Sequence, residues 1–346
     1  GLLNTWRTEM SEKLSILIPM AGLGSRLRPL TWSRPKPLLS LAGATVLDHL
    51  LAMFKTIPNQ DEIEYVFIMS PGQEPVIKSY MKNHHPEKNI NYVEQRTMRG
   101  QSDALWQARS FMDGPTLTIF SDTLIDSDFS NLENETADAI AWVKPVPDPR
   151  RFGVVEVDAS GYVTQLIEKP NEMHNNLAVV GCYYFKEGKD LTKAIKEQIA
   201  RNISLKGEYF LVDALNILLE EGSKMRIEQV STWLDAGTSE ALLDTNRHLL
   251  ENGRDNMKDI HTLADSVIRP PVFIHPDARV SGSIIGPFTS IGANCVVQNS
   301  SISDSILSPG AHVSNSHLDA SLIGYDCVIN SLSGKFNLGD NSWASS

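Results

Sequence analysis

The chain has 346 residues, of which 41% are hydrophobic and 21% charged, and its formal net charge is −11. That is ordinary for a soluble globular protein long enough for two domains, and the acidic balance argues against a general nucleic-acid binder, which carries a basic face. No apolar stretch approaches the roughly 20 residues of a membrane helix, so neither nucleic acid nor membrane is expected as a partner.

Residues 1–12 read as a disordered leader without the apolar centre of a signal peptide, and the cytoplasm is the expected location. Leu14-Ser15-Ile16-Leu17-Ile18 is short, apolar and stopped by Pro19, as a buried parallel strand would be. It delivers the loop from Pro19 to Thr31. Gly22 and Gly24 there permit positive φ and close approach of a ligand to backbone N–H groups, a concavity suited to phosphate oxygens. Arg26, Arg28, Arg34 and Lys36 follow with no acid among them, which in so acidic a chain points to a polyanionic ligand. The third glycine of a dinucleotide fingerprint and the Gly-Lys-Ser/Thr ending of a Walker loop are both missing.

Leu47, Leu50, Leu51 and Phe54 have helical spacing. A strand over 65–69, a helix over 73–82 and a strand over 90–93 continue the alternation. This predicts a doubly wound parallel sheet with ligands at the carboxyl ends of its strands. Gln95, at one such end, can offer a donor and an acceptor to a base edge, and Gly100 allows close approach before a helix expected over 105–112. The strand 117–122 ends on Asp122, a suitable ligand for Mg²⁺. Residues 151–170 alternate with period two around Asp158-Ala159-Ser160-Gly161, predicting a hairpin over the sheet. Cys182, Cys295 and Cys327 lie far apart among apolar neighbours and read as buried thiols.

After a helix over 239–251, residues 253–264 read as a linker between a domain spanning 13–252 and another spanning 265–346. Beyond it, Ile274, Val280, Ile285, Ile291, Val297, Ile302, Leu307, Val313, Leu318, Ile323 and Ile329 recur every five or six residues with small polar residues between. That period suits a parallel β-helix. His275, His312 and His317 are expected on its turns. The coils would leave an open end, so the β-helix is expected to mediate homo-oligomer assembly, and removal of everything after Asp265 to leave the preceding domain folded but change its oligomeric state.

Gly22-Leu23-Gly24-Ser25-Arg26-Leu27-Arg28-Pro29-Leu30-Thr31 followed by Lys36-Pro37-Leu38-Leu39 resembles the signature of the sugar-1-phosphate nucleotidyltransferases. Ala21 and Ser25 stand where that family more often has Gly and Thr, changes that keep the backbone N–H groups. The resemblance extends over about residues 14–330 and is nearest to long glucose-1-phosphate thymidylyltransferases with an appended left-handed β-helix. It implies nucleotide contacts from Ala21, Gly22, Gly24, Ser25 and Arg26, and base reading by Gln95 and Gly100. In Gly153-Val154-Val155 and Glu168-Lys169-Pro170 it implies that Gly153 and Glu168 face the sugar and Lys169 holds its phosphate, with Gly181 nearby. Gly207-Glu208-Tyr209 would bring Glu208 to sugar hydroxyls. Asp122, although Ser121 departs from the family's Leu-Gly-Asp, and Asp235 of Trp233-Leu234-Asp235-Ala236-Gly237-Thr238 would share one Mg²⁺.

The implied reaction condenses a nucleoside triphosphate with a sugar 1-phosphate and releases pyrophosphate. dTTP or UTP with glucose 1-phosphate is the expected pair, and Arg26, Lys36, Asp122 and Lys169 are the expected catalytic residues. The alternatives are GTP with mannose 1-phosphate, or a non-catalytic homologue that senses nucleotide-sugars. Joint retention of Arg26, Lys36, Asp122, Lys169 and Asp235 argues against the latter.

Overall fold

A computed structural model describes residues 12–260, 263 and 265–346. The leader expected over 1–12 lies outside them apart from Glu12, as do positions 261, 262 and 264 of the expected linker. Contacts divide the described residues into two compact units, one within 12–21, 56–120 and 128–231, the other within 22–55, 121–127 and 232–346.

The first unit is built on a nine-stranded sheet. Its strands are β1 (Ser15–Pro19), β2 (Glu64–Met69), β3 (Asn89–Glu94), β4 (Thr116–Ile119), β5 (Ala139–Pro145), β6 (Gly153–Val157), β7 (Val163–Glu168), β8 (Leu177–Phe185) and β9 (Met225–Gln229). The order is β7-β6-β8-β4-β1-β2-β3, with β5 paired to β8 and β9. The run β4-β1-β2-β3 is parallel, the doubly wound half that the apolar strands imply. Ser15 to Ile18 are all buried, so both faces of this central strand are away from solvent. Antiparallel strands β6, β7 and β8 extend the sheet on the far side. In the β6–β7 hairpin, Asp158 Oδ1 accepts from the N–H groups of Ser160 and Tyr162 at 2.8 and 3.0 Å, closing the expected turn.

The helices of this unit are α1 (Glu74–His84), α2 (Gln101–Gln107), α3 (Gly188–Ala200) and α4 (Leu211–Glu220). α2 begins four residues earlier than its apolar spacing suggests, because polar Ser102 and Asp103 are themselves buried in its first turn. β4 ends before Asp122, since the N–H of Phe120 turns to the Gly181 carbonyl at 3.2 Å. Gly181 has φ +85 inside an irregularity of β8.

In the second unit, Thr123–Ile125 pairs antiparallel with Trp233–Asp235, which aligns Asp235 with Thr123. The helix Val46–Ala52 starts on a reciprocal cap between Thr45 and Asp48. The helix Ser239–Leu249 starts on Thr238, whose hydroxyl accepts from the Ala241 N–H at 3.1 Å. The rest is the expected left-handed parallel β-helix, three five-stranded parallel sheets. Every aliphatic residue named above from Ile274 to Ile329 is buried in its core, none more than 7% exposed. Partners run Val272 to Thr289, Ile291 to Leu307 and Leu307 to Ile323, so one coil takes three of the five-or-six-residue steps. At one corner Ser283, Ser300 and Ser316 stack, each hydroxyl accepting from the N–H one coil on at 3.1 Å. His312 and His317 begin strands with exposed side chains instead of lying on turns; His275 follows a strand as expected. All three cysteines are buried free thiols.

The expected linker is structured where it is described. Asp255 Oδ2 accepts from the Val272 N–H at 2.7 Å, and Asn256 brackets Ile274 by accepting from its N–H at 2.9 Å and donating to its carbonyl at 2.8 Å. Side chains thus cover the edge of the first coil, where no preceding strand among the described residues pairs with it. No helix among the described residues is long and apolar enough to cross a membrane.

Candidate functional site

The sequence-predicted residues fall into two groups, each within its own unit. In the second unit, the glycine loop continues from β1. Gly24 holds φ +62, and a Cβ there would meet Thr31 Cγ2 at 2.9 Å, so both conformation and space demand glycine. Thr31 donates its hydroxyl to the Gly24 carbonyl at 2.6 Å and closes the loop. Gly22 has open space around it, and Ser25 and Arg26 are exposed, which leaves this backbone accessible.

Asp122, Asp235, Arg26 and Lys36 converge. Around the position a Cβ would take on Gly237 stand Asp235 Oδ1 at 3.0 Å, Arg26 Nη2 at 3.3 Å and Asp122 Oδ2 at 3.3 Å. Lys36 Nζ lies 3.7 Å from that same Asp122 oxygen, with its side chain 13% exposed. The backbone registers them: Ala236 donates to the Asp122 carbonyl at 3.0 Å, Gly237 to Asp235 Oδ1 at 2.7 Å, and Thr245 Oγ1 to the Asp235 carbonyl at 2.6 Å. Two carboxylates and two cations in one small volume form a centre that can take phosphate oxygens and a hard cation together. Among the described residues no three His, Cys, Asp or Glu side chains gather into a protein-only cage. Such a cage is what Mg²⁺ does not need, because it keeps waters and substrate phosphates in its shell. Arg34, expected among the phosphate cations, is instead engaged with Asp340 at 3.2 Å, and Arg28 lies over the Trp32 ring at 4.0 Å.

In the first unit, Gln95 follows β3 and is 2% exposed. Its amide nitrogen donates to Asp103 Oδ2 at 3.1 Å and to the Gly100 carbonyl at 3.3 Å. Both partners are acceptors, so the amide orientation is set and both its hydrogens are used. Gln95 therefore presents a carbonyl acceptor only, not the donor and acceptor expected of it. Asp103, a buried acid in the first turn of α2, carries no sequence signal beyond its place eight residues after Gln95. Gly100 has φ +99, and a Cβ there would strike the Tyr209 backbone at 2.7 Å. Its glycine is thus required by chain packing, and it joins the Gln95 loop to the turn carrying exposed Glu208.

Gly153 and Glu168 are cross-strand partners in β6 and β7, and a Cβ on Gly153 would stand 3.0 Å from Glu168 Oε2. Desolvation raises the Glu168 carboxyl above its ordinary range; Lys169 opposes this and Asp213 adds to it. Asp213, in the first turn of α4, is raised by burial as well. Lys169 has φ +47, a conformation a lysine rarely adopts, held by its N–H donating to the Phe152 carbonyl at 2.9 Å. Ala21, at the end of the first unit's leading segment, is buried.

Residues 16–252 match the family described as nucleotidyl transferase. Over 96% of its length the chain is 27% identical to a glucose-1-phosphate thymidylyltransferase of Streptomyces griseus, covering 99% of that protein. It is 30% identical, over 71% of its length, to the bifunctional protein GlmU of Methanococcus aeolicus, of which it spans 56%. Among solved structures, a putative glucose-1-phosphate thymidylyltransferase from Bacillus anthracis in complex with a sucrose superposes with a TM-score of 0.59 at 25% identity, over 72% of this chain and 97% of that one. With its glycine loop, its two converging aspartates and a match over residues 16–252, the chain belongs to the nucleotidyl transferase family.

Proposed function

We propose that the protein condenses a nucleoside triphosphate with a sugar 1-phosphate, releasing pyrophosphate, with dTTP or UTP and glucose 1-phosphate as the preferred pair. The observation that carries this reading is the convergence of Asp122, Asp235 and Arg26 on one point, with Lys36 beside Asp122. Two reacting anions repel, by about 4 kcal/mol for unit charges at 4 Å and an effective dielectric of 20. Fixed cations must offset that repulsion. Arg26, Lys36 and the loop N–H groups bind the triphosphate, and Lys169 holds the phosphate of the sugar. Gly153, Glu168, Gly181 and Glu208 take the sugar hydroxyls. Asp122 and Asp235 suit Mg²⁺, which when bound neutralises phosphate charge. No protein nucleophile is required, since positioning and charge stabilisation suffice.

Gln95, as an acceptor, receives the N3–H of a pyrimidine, yet it would serve the N1–H of guanine as well. The choice of thymine or uracil therefore rests on the likeness to the Streptomyces griseus thymidylyltransferase, which spans nearly both chains. A matrix of dTTP, UTP, GTP, CTP and ATP against glucose-, mannose-, galactose- and N-acetylglucosamine-1-phosphate tests it. The highest kcat/KM with GTP and mannose 1-phosphate would overturn the substrate pair, and no pyrophosphate from any combination would overturn the reaction. The β-helix is the element we propose to join copies of the chain.

A further inference from the structure

The cationic segment after the glycine loop is fastened to the last coil of the β-helix. Arg34 Nε donates to Asp340 Oδ2 at 3.2 Å, and Ser33 Oγ donates to the same oxygen at 2.9 Å. The Arg34 guanidinium carbon stands 3.5 Å over the Tyr325 ring. The other Asp340 oxygen accepts from the Tyr325 N–H at 2.9 Å, and the Tyr325 hydroxyl donates to the Leu38 carbonyl at 3.3 Å. The backbones approach each other too: a Cβ on Gly339 would lie 2.9 Å from the Pro29 carbonyl oxygen.

These contacts bracket Lys36 on both sides, through Ser33 and Arg34 before it and Leu38 after it. An exposed ion pair would hold little, but the Asp340 side chain is only 6% exposed and both its oxygens are occupied. A desolvated carboxylate with every partner in place has one low-energy arrangement, and a guanidinium clamped between it and an aromatic face loses its freedom as well. Arg34 is thereby withdrawn from substrate phosphate, and its charge serves geometry.

We propose that Asp340 and Tyr325 are positioning residues that fix the 22–39 segment, and through it Arg26 and Lys36, so that the last coil of the β-helix is part of the catalytic apparatus. This rests on the nucleotidyl-transfer reading for its kinetic consequence, but not for its structural one. In the full chain, Asp340→Asn removes the charge and keeps an acceptor for the Tyr325 N–H. Hydrogen–deuterium exchange of amides in 22–39 is expected to rise about tenfold while exchange in the sheet β1–β4 stays unchanged. In the same variant kcat is expected to fall about tenfold, and the exchanged pair Arg34→Asp with Asp340→Arg to recover part of it. Unchanged exchange in 22–39, or an increase spread evenly over all amides, would overturn the clamp. Local loosening with unchanged kcat would overturn its role in positioning. Should Asp340→Asn not fold, Tyr325→Phe, which removes only the hydroxyl bonds, is read by the same two measurements. A wild-type chain that transfers no nucleotide while Asp340→Asn still loosens 22–39 would refute the reaction and the positioning of catalytic groups, and leave the fastening itself standing.

Discussion

Lys36 Nζ and Asp122 Oδ2 lie 3.7 Å apart, although one follows β1 and the other follows β4 in the chain. In the proposed reaction the pair brings a cation for phosphate to a carboxylate suited to Mg²⁺. Asp122→Asn is therefore expected to lower turnover by roughly 10²-fold or more, a loss of the size seen when one charge-stabilising group is removed. Triphosphate binding should change far less, because the loop contacts remain. Pyrophosphate release with and without Mg²⁺, beside calorimetric titration of the triphosphate, checks both statements; wild-type activity persisting in EDTA would sink the metal role.

Gly237 offers a more local probe. The atoms nearest a new Cβ are the tips of Asp235, Arg26 and Asp122, which can swing away without moving the backbone. Gly237→Ala should thus fold with little change in thermal midpoint and still lose on the order of 10²-fold in kcat, since small misplacements of reacting groups are costly. Full activity in a folded variant would mean that the three groups do not act from this point.

Arg26 and Lys169 separate the two substrates. Lys169→Ala should raise KM for the sugar phosphate far more than for the triphosphate, whereas Arg26→Ala should chiefly lower kcat. Lys169 also carries left-handed backbone strain. Lys169→Gly should therefore be more stable than Lys169→Ala by about 1 kcal/mol, at equal loss of substrate affinity. Denaturant titration reads the first effect and steady-state kinetics the second; equal changes in both KM values would show the subsites to be misassigned.

Asp103 takes a hydrogen of the Gln95 amide at 3.1 Å and so leaves its carbonyl to accept. Asp103→Asn removes the charged acceptor, so the glutamine amide is held by the Gly100 carbonyl alone and its orientation loosens. The ratio of kcat/KM for dTTP over CTP, whose ring N3 is an acceptor and cannot donate to Gln95, is expected to fall about tenfold, a discrimination of the size one hydrogen-bond mismatch supplies. An unchanged ratio in a folded variant would remove Gln95 from base reading.

Glu168 connects stability to pH. Its carboxyl is raised in the folded state, first by desolvation, so the folded form holds its proton more tightly than the unfolded chain does. The stability this proton contributes is fully present below the unfolded-state value and is lost as pH rises through the folded-state value. Glu168→Gln cannot titrate. Its thermal midpoint should match wild type near pH 4 and exceed it at pH 7 to 8, while affinity for the sugar phosphate falls, the stability cost of a functional carboxylate. A midpoint difference independent of pH would show that Glu168 is not the titrating group.

Local chemistry made much of this protein legible in its sequence. Continuous apolar runs marked β1 and β2, the five-or-six-residue aliphatic period marked the β-helix core, and the glycines at 22 and 24 marked an accessible backbone turn, because each property depends on residues that are neighbours in the chain. What tertiary structure alone decided is which of these segments meet. The pairing of Thr123–Ile125 with Trp233–Asp235 sets Asp122 beside Asp235, the packing of Gly100 against Tyr209 joins two motifs that read as separate, and the desolvated Asp340 engages Arg34, which the sequence groups with the other cations of its loop. Even the direction of the Gln95 amide followed from an acid eight residues on, in a helix turn whose polarity resembled a loop. Periodicity reports which face of an element is buried, but the identity of the group buried against it depends on strand register and chain crossings far away in sequence.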